Sequence, residues 1–331
     1  MRLVHGAWKF DIAADSTPRP AAATLRNLLI VHTPLAQDLS DWLEIKRRIE
    51  NQAPDIEVRI AVNGEPNSVT RRWQVSRPSL LFSPYELHAY RPRGGAIYAG
   101  RSIDKLEQTR RLACQGLPVP LTAKLTRNMR LDPKRWGDYV VTKPLRGSQG
   151  QGVRLLLTSD VPAHYDELTT NDTQEMLIQR YVEHSEAGHP TEYRVLTLFG
   201  NVLYSSRNTW AIPRQALDRI ASDPNGIIAS NSKRFGRLRT VCNDAEIVTL
   251  AEKACAAFAE CPVLGVDIVR DVESGKLYVM ETNAKGDVWH LSSALAKNTF
   301  TAEHTRDLYN QFGALDRAAE LLIKKTRAEA A

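Results

Sequence analysis

Two acidic residues set inside apolar strand runs constrain this chain more than any other feature. Toward the C-terminal end the sequence reads Val263-Leu-Gly-Val-Asp267-Ile-Val269, then a polar turn, then Tyr278-Val-Met-Glu281-Thr-Asn283. Period-two alternation makes each run a strand with one buried face. A three-residue turn through Glu273-Ser274-Gly275, with Gly275 left-handed, sets Asp267 opposite Glu281 and Val269 opposite Val279. Asp267, Glu281 and Asn283 then share a face. A two-residue turn at Ser274-Gly275 would put the two acids on opposite faces. Acids embedded in apolar runs need a partner or a metal. Two carboxylates and an amide oxygen are hard ligands, suited to Mg²⁺ bridging a nucleotide's phosphates. The competing reading is a pair of solvated acids on a surface hairpin.

At 331 residues, with 43% apolar and 25% charged residues, the chain can fill two or three compact units, and disorder over most of its length is excluded. The net charge of +6 suits anionic ligands. The basic residues are spread out with no basic-aromatic motif, so nucleic-acid binding is not indicated. Cys114, Cys242, Cys255 and Cys261 form no CxxC pair, and read as small buried thiols in a reducing compartment. The N-terminus lacks the apolar run of a signal peptide, and no stretch is long enough to span a membrane. The expectation is a soluble cytoplasmic protein.

Leu25–Val31 reads as a buried strand, followed by a helix over 41–50 capped by Ser40, and a second strand, IEVRIAV, before Asn63-Gly64. Strand, helix, strand begins a parallel α/β unit; runs at 79–82 and 96–99 extend the sheet. A helix over 103–115 is capped by Ser102 and stopped by Gly116. From residue 135 onward, glycine-punctuated hairpins alternate with helices, which suggests α+β. Leu177 to Tyr204 contains a turn at Gly200-Asn201, and a basic stretch follows that includes Arg207, Arg214, Arg237 and Arg239. Asn243 and Glu246 form a capping box for a helix to Glu260.

The second chemical signal is Lys143-Pro-Leu-Arg-Gly147-Ser148-Gln149-Gly150-Gln-Gly152. Its glycines free backbone N–H groups to wrap an anion, and Lys143 can reach a phosphate as a point charge. It matches neither the P-loop spacing nor the dinucleotide fingerprint. Alone, it also reads as a flexible hairpin loop.

Taken in order, Lys143 with its glycine loop, the Gly-Val-Asp-Ile-Val-Arg strand and Met-Glu-Thr-Asn-Ala resemble the ATP-grasp superfamily, and within it the RimK-type carboxylate–amine ligases. The resemblance covers roughly residues 100 to 295. It implies an ATP-grasp fold: an N-terminal α/β domain (25–102) after an extension (1–24), then two α+β subdomains (103–185 and 186–331) clasping ATP. It further implies that Lys105 and Lys143 contact phosphates and that Gly147, Ser148, Gln149, Gly150 and Gly152 close over them. Gln179, Arg180, Tyr181 and Val182 would flank adenine, and Glu192 the ribose. Arg194 and Arg207 would act at the substrate and phosphoryl group, with Ser230 and Asn231 on the nucleotide. Asp267, Glu281 and Asn283 match the Mg²⁺ ligands, for two ions, with Mn²⁺ as a substitute.

The implied reaction is amide or peptide bond formation through an acyl phosphate, with small carboxylate and amine substrates or a peptide tail as partners, in a chain able to self-associate. A kinase on the same fold and a non-catalytic ATP-binding protein are the rival readings. Arg180 stands where relatives carry an acidic residue, with Glu183 as a possible substitute. Lys285, Trp289 and His290 replace the small turn usual after Asn283, and are expected either to select the acceptor or to pack at the start of the next helix.

Overall fold

The computed structural model describes residues 24–64, 68–88, 90–147, 150–169, 175–223, 228 and 236–331; of the expected extension, only Thr24 falls within them. The chain opens with β1 (Arg26–His32), α1 (Leu39–Gln52), β2 (Ile56–Val62), α2 (Ser68–Gln74), β3 (Ser79–Ser83) and β4 (Ala96–Ala99). These strands form a parallel sheet of order β2-β1-β3-β4. The near-continuous apolar run in β1 reflects cover on both faces. Leu28 and Ile30 pack with Trp42, Ile45 and Ile49 of α1, while Leu29 and Val31 meet Leu81 and Tyr90 on the other side.

Next come α3 (Lys105–Cys114), β5 (Thr122–Lys124), α4 (Pro133–Trp136), β6 (Tyr139–Pro144), β7 (Arg154–Leu157), α5 (Val161–Leu168) and β8 (Met176–Arg180). The strands make an antiparallel sheet of order β5-β8-β6-β7. Val140, Leu156 and Ile178 bury one of its faces around Trp136. The third sheet, β12-β11-β10-β13-β14 with β9 on β10, comprises β9 (Ser185–Glu186), β10 (His189–Leu198), β11 (Asn201–Trp210), β12 (Arg237–Val241), β13 (Val263–Arg270) and β14 (Leu277–Asn283). Between β11 and β12 lies the short α6 (Leu217–Ser222); between β12 and β13, α7 (Ala245–Cys255) lays Ile247, Ala251 and Ala254 on Val195, Val266, Ile268 and Val279.

Three helix starts differ from expectation in one consistent way. Asp38, Asp104 and Asp244 cap α1, α3 and α7, each accepting a backbone N–H, in place of Ser40, Ser102 and Asn243. In each case a carboxylate one or two residues away competes with the neutral cap and gains from the positive end of the helix dipole.

The C-terminal helices α8 (Ala294–Thr299), α9 (Ala302–Gln311) and α10 (Ala314–Glu329) carry the chain back, and α10 packs against α1. Leu322 and Ile323 join the same core as Trp42 and Leu28. Trp289 is fully buried 4.6 Å from the Trp42 ring, and its indole N–H donates to Asp41 at 2.7 Å. Ser292 and Tyr309 donate to the same buried carboxylate, at 2.5 and 2.7 Å. First and last segments are therefore knitted together directly behind the third sheet.

Candidate active site

With α7 on one face of the third sheet, the other face divides: Leu196 and Tyr204 pack into the core shared with α1 and α10, and the part around Arg194 and Asp267 remains for chemistry. Asp267 lies opposite Glu281, and Gly265 opposite Asn283, so the two carboxylates and the amide share that face. The route to this register differs from the expected one. Arg270 pairs with Leu277 and the Gly275 N–H closes on the Asp271 carbonyl, leaving a four-residue turn, 272–275, with Gly275 at φ +69°. Val269 therefore faces Tyr278, not Val279. A bulge then places one extra residue, Met280, on β14 between Ile268↔Val279 and Asp267↔Glu281. It lets Val279 enter the core under α7 while Glu281, only two residues on, reaches the opposite face.

Three cations gather on these acids. Arg194 of β10, opposite Asp267, binds it bidentately with both N···O distances 2.6 Å. Burial pulls the Arg194 guanidinium down, but Asp267 more than offsets this and holds it above its ordinary value. Asn283 Nδ2 donates to Asp267 Oδ2 at 3.2 Å. Lys105, at the start of α3, lies 3.1 Å from Glu281 and donates to the Gly147 carbonyl at 2.8 Å, which ties the acid to the glycine loop. Lys143 in β6 is only 9% exposed. Its burial, with Lys105 nearby, pushes its ammonium below the usual lysine value against the pull of Glu281 and Asp267.

Gly147, Gly150 and Gly152 all hold positive φ, and a Cβ at Gly152 would come 3.0 Å from Pro144. Gln179 shares the Lys143 face of the central sheet, its amide donating to Thr122 at 2.9 Å. Tyr181 follows with its phenol pushed up by burial, then buried Val182. Glu192, two residues before Arg194 and on the same face, lies 3.8 Å from Arg237. Ser148, Gln149, Ser230 and Asn231 lie outside the described residues.

The structure does not bring every expected residue to this cluster. Arg207 sits opposite Tyr193, whose ring belongs to the core under α7; it faces away from Asp267 and pairs with Glu186. The Arg180 side chain shares the face of Val140 and Ile178, away from Lys143. Glu183 does not replace it freely, because it is paired with Arg214. Trp289 is a core residue, which removes it as an acceptor contact, whereas His290 stacks on Tyr204 beside Arg194.

Among the described residues, no three His, Cys, Asp or Glu side chains gather to cage an ion by themselves. Asp267, Glu281 and Asn283 instead form a sparse oxygen set beside several cations, the pattern in which Mg²⁺ completes its shell with substrate phosphates. The residues present fit that ion.

A family model described as an ATP-grasp domain matches residues 102–286, more than half of the chain, and spans Lys105, the glycine loop and the carboxylate hairpin. The protein belongs to the ATP-grasp family. The chain is 29% identical over 208 residues to a probable alpha-L-glutamate ligase of Serratia proteamaculans (strain 568), covering 60% of this chain and 61% of that one. A protein of the same name from Alkalilimnicola ehrlichii is 28% identical over 222 residues, 65% of this chain and 66% of its own. Each match spans less than two thirds of the relative's length. The fold is similar to the crystal structure of a D-cycloserine synthetase, with a TM-score of 0.55 at 15% identity over 90% of this chain and 99% of that one. No helix among the described residues is long and apolar enough to cross a membrane.

Proposed function

We propose that the protein is a cytoplasmic ATP-dependent carboxylate–amine ligase, its units dividing near residues 103 and 186. The observation that carries this is the convergence of Lys105, Lys143 and Arg194 on Asp267, Glu281 and Asn283. ATP is the co-substrate. Lys143 and Lys105 neutralise its phosphates, Gln179 to Val182 flank its base, and the 147–152 loop covers the transfer and excludes water. Asp267, Glu281 and Asn283 would hold Mg²⁺, which would supply further positive charge at the phosphoryl group. A carboxylate oxygen of the substrate attacks the γ-phosphorus, the bond to the β-phosphate oxygen breaks, and ADP leaves. The amine nitrogen then attacks the acyl carbon, the C–O bond breaks, phosphate departs and the nitrogen loses a proton. Arg194 faces the reacting carboxyl in this reading, a role it takes without Arg207. The names of the glutamate ligase relatives support amide formation from an acid and an amine.

The test is ADP release with Mg-ATP and pooled acids and amines, with hydroxylamine as the trap. Hydroxamate formed together with ADP supports carboxylate activation. ADP with a stable phosphorylated hydroxyl product would assign a kinase, and ATP binding with no turnover on any pool would refute the ligase reading.

A further inference from the structure

Beyond Asp267 and Arg194, the same sheet face carries a second concentration of positive charge that the ligation chemistry does not use. Arg239 of the edge strand β12 lies opposite Asn208, which lies opposite Glu192, one row from Arg194 and Asp267. Rows on one face are about 7 Å apart. Arg237 stands on the same face two residues earlier, 3.8 Å from Glu192. Arg239 donates to the Thr299 carbonyl at 3.2 Å and lies 4.7 Å over the Phe300 ring. Among the described residues no carboxylate is paired with it.

Phe300 is itself flanked by two buried imidazoles, His290 at 5.5 Å and His304 at 5.1 Å, and His304 Nε2 is buried without a hydrogen-bond partner among the described residues. Burial, then the neighbouring Arg237, brings the Arg239 guanidinium down to about 10, with Glu192 opposing. Burial and Arg194, Arg239 and Arg237 keep His290 neutral. Packing like charges together against low-dielectric surroundings is costly unless an anion joins them.

We propose that Arg239, with Arg237 and His290 beside it, is an anion subsite that selects a substrate carrying an oxyanion, carboxylate or phosphate, in addition to the carboxyl group that is activated. A planar guanidinium offers such a group paired donors. The inference rests on the ligase reading for which substrate is meant, and on the sheet geometry alone for the existence of the subsite.

The experiment is calorimetric binding to the full chain, saturated with Mg²⁺ and a non-hydrolysable ATP analogue. Two matched pairs serve as probes: L-glutamate against L-glutamine, and O-phospho-L-serine against L-serine. Expected is a preference of about ten- to a hundredfold for the acidic member of one pair, the worth of one charge-assisted hydrogen bond; which pair shows it distinguishes carboxylate from phosphate. Arg239→Gln should erase the preference, and Arg239→Lys should keep part of it, with affinity for the ATP analogue unchanged in both. Equal binding within both pairs, no binding of either acid, or a preference that survives R239Q overturns the subsite. A preferred acid that binds but yields neither ADP nor hydroxamate with Mg-ATP counts against the ligase reading and leaves the subsite standing.

Discussion

Replacing Asp267 with alanine should destabilise the fold as well as remove the metal ligand proposed above, and the structure sets the size of that effect. Asp267 accepts two 2.6 Å bonds from Arg194 and one of 3.2 Å from Asn283, with the Arg194 and Asp267 side chains 23% and 17% exposed. Breaking a buried ion pair by removing one partner costs about 3–5 kcal/mol. Residual exposure of both side chains reduces this to about 2–4 kcal/mol, since water re-solvates part of the stranded guanidinium. Urea unfolding of D267A, followed by circular dichroism and tryptophan fluorescence, should show that loss. The double variant Arg194→Met/Asp267→Ala should recover at least half of it, because no charge is left stranded. A D267A variant within about 0.5 kcal/mol of wild type, or single costs that simply add in the double variant, would refute the reasoning. The practical consequence is that lost ADP formation in D267A would not by itself identify a metal ligand.

Glu281→Gln is the cleaner variant: among the described residues Glu281 has its ion pair with Lys105, at 3.1 Å, and is 28% exposed, so stability should fall by no more than about 1 kcal/mol while ADP release drops by at least about a hundredfold. Near-wild-type turnover of E281Q would remove Glu281 from the machinery. Lys143→Met should weaken ATP binding yet raise the melting temperature at pH 7. The sign follows from the lowered Lys143 value: stability tied to this group is full above the unfolded value of 10.5 and is lost as pH falls through the folded one. The advantage of K143M should therefore shrink as pH rises toward 10.5, and a K143M protein less stable than wild type at pH 7 would contradict it. Asp41→Ala leaves Trp289, Ser292 and Tyr309 donors stranded and should cost about 3–5 kcal/mol; a loss under about 1 kcal/mol in thermal or urea unfolding would show that water replaces the carboxylate.

The two hairpins of the third sheet show why some of the site could be read from the sequence and some could not. Which face a strand residue takes depends on parity, and each turn residue or bulge reverses it. In the β13–β14 hairpin the turn is one residue longer than its glycine suggests, and the Met280 bulge adds one more, so the two departures cancel at Asp267 and Glu281. In the β10–β11 hairpin they do not cancel. A turn at Gly200-Asn201 would set Arg207 opposite Arg194. The observed turn falls at Phe199-Gly200, both at positive φ, and a bulge at Leu196/Thr197 sets Arg194 opposite Ser206. The net shift is one residue, and it sends Arg207 to the far face. Phe199 in a left-handed turn has no local signature, because bulky residues disfavour that conformation; its ring instead packs on Phe82 and Tyr98, contacts more than a hundred residues away in sequence. Arg237 and Arg239 carry a local signal, a period-two alternation around exposed Leu238, but it reads equally as a solvated edge strand. Only the path of the chain after Asn283, which brings His290, Phe300 and His304 against β12, converts that edge into one wall of a site. The carboxylate hairpin was legible because its residues lie within one supersecondary unit, whereas the basic wall is assembled from segments about sixty residues apart, and neither segment specifies the other.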